Sequence, residues 1–265
     1  MRIAPALLLV SACGFSVAGT TSDGPAPIDT IDPIDTGPSA TCDDGVKNGG
    51  ETGVDCGGSC PEHCDAMFTI DANTLAVFEL NGDVLDTSGN HRDAALIGGT
   101  FVPTAWGQGL SVPGAATQGF QWNTYGALLV HPFTVEMVLT PAAVSCWRKL
   151  FGPDDTLDKG WNYCDKFHTY PGSTIGPNLT AGQRHYFAIV STSSTTIDVY
   201  LNGTRLGGLD SSFTAPPAQA IFFRDDTQTG RAETLTGVID AVRLSKVART
   251  ATEITMTQTR ITTRN

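Results

Sequence analysis

The feature that most constrains this chain is the rhythm of its C-terminal three quarters. Ten short apolar or alternating runs recur there: Leu75–Leu80, Ala94–Ile97, Leu110–Val112, Ala127–Val130, Phe133–Leu139, Trp147–Phe151, His185–Val190, Thr196–Leu201, Ala220–Phe223 and Leu235–Leu244. Gly, Pro, Asn and Asp separate them, and no long segment repeats every 3.6 residues. Short strands at this spacing predict an all-β, two-sheet antiparallel jelly-roll sandwich. Thr196–Leu201 runs into Asn202-Gly203, a pair that tolerates positive φ, so a tight hairpin to Thr204–Leu206 is expected. Helical character is expected only at Ala251–Ile254, as a final turn.

The first 65 residues read differently. Met1-Arg2 and the apolar run Ile3–Val10 have the layout of an export signal, too short to span a bilayer. Val10-Ser11-Ala12-Cys13 resembles a bacterial lipobox, which implies cleavage after residue 12 and a lipid on Cys13. With Gly14 next, the resemblance implies an exported protein held at the outer membrane of a Gram-negative bacterium, attached to the membrane through the lipid alone. Ser16–Thr41 has four Pro, four Asp and no aromatic or basic residue, so residues 13–41 are expected to be a disordered tether. Cys42, Cys56, Cys60 and Cys64 then mark a small module over 42–64. Its few apolar residues cannot form a core, so it requires covalent or metal staples. Export favours two disulfides over zinc and leaves their pairing open. With Asp44-Gly45, Asn48-Gly49, Glu51-Thr52 and Asp55-Cys56-Gly57-Gly58 between its cysteines, the block resembles the Asp-Gly/Asn-Gly cysteine modules of myxobacterial surface proteins.

Composition limits the function classes. The formal net charge is −11, with nine acids and two bases in residues 1–64, and no basic patch suggests nucleic acid. Cys146 and Cys164 remain after the other cysteines are assigned, and a disulfide between them is expected, leaving no free thiol for catalysis. No paired-carboxylate spacing of a glycan hydrolase and no G-x-S-x-G elbow is present. Glu136 stands alone in an apolar strand, and Asp154-Asp155, Asp158 and Asp225-Asp226 read as solvated turns. His185 reads as a core residue. A non-enzyme is therefore expected.

Several segments in order resemble the laminin-G-like branch of the concanavalin A-like lectin/glucanase superfamily. They are Leu75–Leu80 with Asp86–Asn90, Phe133–Val138, Arg184–Ala188, Ile197–Gly203, Gly237–Leu244 and Val247–Ile254. The resemblance implies a sandwich over 66–256 with a tail at 257–265. It also implies one structural calcium ion on Asp86 and Asp240; alternatively Asp86 caps a turn and Asp240 makes buried hydrogen bonds. The expected partner is polysaccharide or a cell-surface protein, with a purely structural envelope role or a divergent hydrolase as alternatives. Aromatics near Gly-rich loops are the candidate sugar platforms: Trp161, Tyr163 and Tyr170, and Trp122 with Tyr125.

Overall fold

The computed structural model describes residues 66–114, 116–123, 129–145, 147–212 and 219–263. The signal, Cys13, the tether, the 42–64 cysteine module, Tyr125 and Cys146 lie outside the described residues. In chain order the elements are β1 (Thr74–Phe78), β2 (Ala95–Gly98), β3 (Thr100–Thr104), β4 (Gly107–Pro113), β5 (Gly119–Asn123), β6 (Phe133–Pro141), β7 (Arg148–Gly152) and β8 (Gly160–Cys164). There follow β9 (Lys166–Tyr170), β10 (Thr174–Ile175), β11 (His185–Ser191), β12 (Thr196–Leu201), β13 (Thr204–Asp210), β14 (Gln219–Phe222), β15 (Thr236–Ser245) and α1 (Ala251–Thr263).

Two antiparallel sheets result. The eight-stranded sheet has the order β13-β12-β11-β6-β15-β4-β3, with β1 also on β15. Ten residues make β15 long enough to hold β4 against its first half and β1 against its second, opposite β6. The seven-stranded sheet has the order β10-β9-β8-β7-β14-β5-β2. The facing sides of the sheets enclose the main core, in which Phe120 stacks on Phe222 at 4.8 Å and Phe151 on Trp161 at 4.6 Å. Such offset and edge pairs add to the burial of the rings themselves.

The β12–β13 hairpin turns at Asn202-Gly203 with φ of 49° and 79°, as its sequence predicts. The helix exceeds expectation: α1 continues to Thr263, so the predicted 257–265 tail is mostly helical. Thr250 caps it. The Thr250 hydroxyl accepts from Glu253 N, and Glu253 Oε2 accepts from Thr250 N at 2.7 Å, a capping box. Ile254 and Ile261 of α1 pack with Met67, Phe68, Val138, Tyr186 and Ala188 in a second core. The eight-stranded sheet is thus covered on both faces, which is why β6 and β11 read as continuous apolar runs rather than alternating ones.

Glu136 in β6 points into that second layer. It receives Arg243 Nε at 2.6 Å and Nη2 at 2.7 Å, and the Tyr186 hydroxyl donates to it. Arg243 Nη1 also donates to the Thr69 carbonyl at 2.8 Å, and its guanidinium lies 5.0 Å from the Phe68 ring centroid. Far from standing alone, Glu136 anchors the segment before β1 and the helix α1 to one strand pair.

Candidate functional site

The predicted sugar platforms divide by strand parity. In β8 and β9, Trp161, Tyr163 and Phe167 face the main core and Thr169 follows the same parity, so Asn162, His168 and Tyr170 face outward. Trp161, Tyr163 and Trp122 are each 0% exposed and built into the core. They are therefore not ligand platforms; the alternation that makes them strand residues also turns them inward. The Tyr163 hydroxyl donates to the Ala143 carbonyl at 3.0 Å, and burial pushes its ionisation far up. Residues 149–152 belong to β7 and 160–162 to β8, so the connecting loop is confined to 153–159. Tyr170, by contrast, is exposed on the outer face of the seven-stranded sheet.

Trp147 joins it there. Its Cα immediately precedes β7, yet its ring lies 4.8 Å from His168 and 5.8 Å from Tyr170, both on β9. Since β8 separates β7 from β9, the indole spans the outer face of β8. Its backbone sits at φ 49°, an unusual region for a bulky residue. Thr174 on β10 steadies His168 through its hydroxyl, 2.9 Å from Nδ1. Burial lowers the His168 pKa, which favours the neutral imidazole. The cross-strand register sets Thr174, His168, Asn162 and Lys149 in one row across four strands. The sequence hid Trp147 because it read as the first residue of an apolar strand.

The far end of that row is electrostatic. Lys149 is 1% exposed, and its Nζ lies 3.1 Å from Asp226, 3.5 Å from Asp225 and 3.5 Å from Asp158. Asp225 and Asp226, expected to be solvated, are buried instead. Asp225 Oδ2 also accepts from Glu233 N at 3.0 Å, and Lys149 N donates to the Glu233 carbonyl at 2.8 Å. Burial, with Asp225 and Asp158 beside it, pushes the Glu233 carboxyl up to about 7. At the rim, Arg231 holds Asp155 through two bonds of 2.7 Å and keeps that carboxyl below its ordinary range. Oxygens of Asp158, Asp225 and Glu233 lie within 4.8 Å of one another. A buried ammonium already neutralises part of that cluster, so these groups act first as counter-charges to Lys149.

The two residues expected to hold calcium are used by the protein itself. Asp86 Oδ1 accepts from Val77 N at 3.0 Å and Ser88 N at 2.9 Å, while Oδ2 accepts from Arg92 N at 2.9 Å. Asp240 is the extra residue of a bulge in β15, is buried, and faces Arg184 Nε at 3.2 Å. Burial raises its pKa against the pull of Arg184. A calcium ion requires about six to eight oxygens free to face it. The three backbone N–H groups on Asp86 and the Arg184 guanidinium beside Asp240 compete with that role. A second grouping, Cys164 with Asp165 and His168, is set aside because Cys164 is disulfide-bonded.

Comparison with known proteins agrees with this architecture. The chain is similar to domain 4 of a GH43 extracellular arabinanase from Geobacillus stearothermophilus, solved in complex with arabinotriose. The TM-score is 0.54 at 16% identity, over 70% of this chain and 98% of that one. It is similar to Trypanosoma rangeli sialidase at a TM-score of 0.55 and 15% identity, over 74% of this chain but 34% of the sialidase. The binding domain of botulinum neurotoxin DC, solved with rat synaptotagmin II, gives 0.50 at 10% identity, over 72% of this chain and 52% of that one. At these identities the likeness shows the fold alone. No curated protein matches the chain. The family model described as the concanavalin A-like lectin/glucanases superfamily matches residues 114–255, more than half the sequence, and the chain belongs to that superfamily.

Proposed function

We propose that this chain is a non-catalytic binding protein, lipid-anchored through Cys13 to the outer membrane, that binds polysaccharide on the outer face of its seven-stranded sheet. One observation carries the reading: Trp147, His168 and Tyr170 form an aromatic group on that face rather than in the core. A flat ring offers a stacking surface to the apolar face of a sugar at little entropic cost. That an arabinanase domain of similar fold was solved with arabinotriose supports a glycan partner. Lys149 engages the nearby carboxylates, which supports binding without turnover.

The test is affinity electrophoresis of the purified protein in gels containing soluble polysaccharides, with calcium and with EDTA, together with a reducing-sugar assay. Retardation without sugar release supports the proposal, and equal retardation in EDTA agrees with the engagement of Asp86 and Asp240 by protein donors. Sugar release lost on a single carboxylate substitution would establish a hydrolase. Free migration in every gel would move the assignment to a protein partner.

A further inference from the structure

The row of outward-facing residues contains one group that no described residue satisfies. Asn162 is 0% exposed, and among the described residues neither its Oδ1 nor its Nδ2 has a hydrogen-bond partner. Burying an amide without partners is costly, and native structures do so rarely. Asn162 pairs in register with His168 on one side and Lys149 on the other, in the middle of the β8 face that the Trp147 indole crosses. Elsewhere in the row polar groups are engaged, His168 by Thr174 and Lys149 by its carboxylates.

Building on the polysaccharide reading above, we infer that Asn162 is the hydrogen-bonding floor of a neutral-sugar subsite roofed by Trp147. One carboxamide presents a donor and an acceptor side by side, which matches two adjacent sugar hydroxyls, each able to give or take a proton. Ring faces at Trp147 and Tyr170 supply stacking beside it. Charge selects the class of sugar. The one buried cation of the row, Lys149, is surrounded by Asp158, Asp225 and Asp226, with Glu233 beside them, so an acidic sugar meets repulsion there. Because Asn162 is 0% exposed in the free protein and the Trp147 ring lies 4.8 Å from His168, its register neighbour, sugar binding must displace Trp147.

The variants are Asn162→Leu and Asn162→Ala, with Trp147→Phe as an optical control. The probes are soluble arabinan and galactomannan as neutral polymers, and polygalacturonate as an acidic one. Wild type is expected to bind a neutral polymer, to ignore polygalacturonate, and to change its tryptophan emission on binding; that change is expected to vanish in W147F. N162L and N162A are expected to bind at least about tenfold more weakly. N162L is expected to raise Tm, because an apolar group of similar outline replaces an unpaired amide. Neutral-polymer binding that survives unchanged in both Asn162 variants overturns this inference and leaves the polysaccharide reading intact. A fall in Tm for N162L, or preference for polygalacturonate, also overturns it. Silence of wild type on all three polymers overturns both.

Discussion

Removing Arg243 should unpin two segments at once. Its guanidinium and the Glu136 carboxylate are buried, at 2% and 0% side-chain exposure, and joined by two bonds of 2.6 and 2.7 Å. Arg243→Met leaves the buried Glu136 with the Tyr186 hydroxyl as its remaining donor in this network, and it strips the Thr69 carbonyl of its guanidinium partner. Breaking a buried pair from one side costs about 3–5 kcal/mol. For a domain of this size that is a fall in Tm of about 6–20 °C. The double variant Glu136→Leu/Arg243→Met removes both charges, so most of that loss should return, to within about 2 kcal/mol of wild type. Urea denaturation of the two single variants and the double variant gives the cycle directly. A loss below about 1 kcal/mol for R243M, or a double variant equal to the sum of the singles, would refute the reasoning.

Lys149→Met should be destabilising by about 3–5 kcal/mol, since it leaves Asp225 and Asp226 buried without their cation; denaturant midpoints check this, and a loss confined to ligand binding would contradict it. Glu233 adds a pH signature. Its folded pKa of about 7 lies above the usual carboxylate value of 4.5, so the folded state holds the proton more tightly and stability falls as pH rises from 4.5 to 7. After allowance for solvent screening of a half-exposed group, the drop is about 1 kcal/mol. Glu233→Gln should abolish it, and Tm measured at pH 5 and pH 8 for both proteins decides the matter.

The fold was legible in the sequence because strand rhythm and turn chemistry are local. Phe133–Leu139 lies within β6, Thr196–Leu201 is β12 with its Asn202-Gly203 turn, and all but the first residue of Leu235–Leu244 lies in β15. The site was less legible because it depends on parity and on distant partners. Trp161 and Tyr163 are aromatics beside a Gly-rich stretch, yet in-out alternation from 161 to 170 puts them inside and Asn162, His168 and Tyr170 outside. That parity was readable; Trp147 crossing a strand was not. Glu136 and Asp225 are likewise charged residues whose partners lie 107 and 76 positions away, at Arg243 and Lys149. The β6–β15 register pairs Glu136 with Arg243, whereas Asp225 meets Lys149 from the segment after β14; neither pairing is local in sequence.

The most direct test of the ligand face is hydrogen exchange on the whole protein with and without a bound neutral polysaccharide. Protection confined to residues 147–170, on β7, β8 and β9, is the expected footprint. Protection along the β12–β13 edge or over α1, with 147–170 unchanged, would place the ligand elsewhere and contradict it.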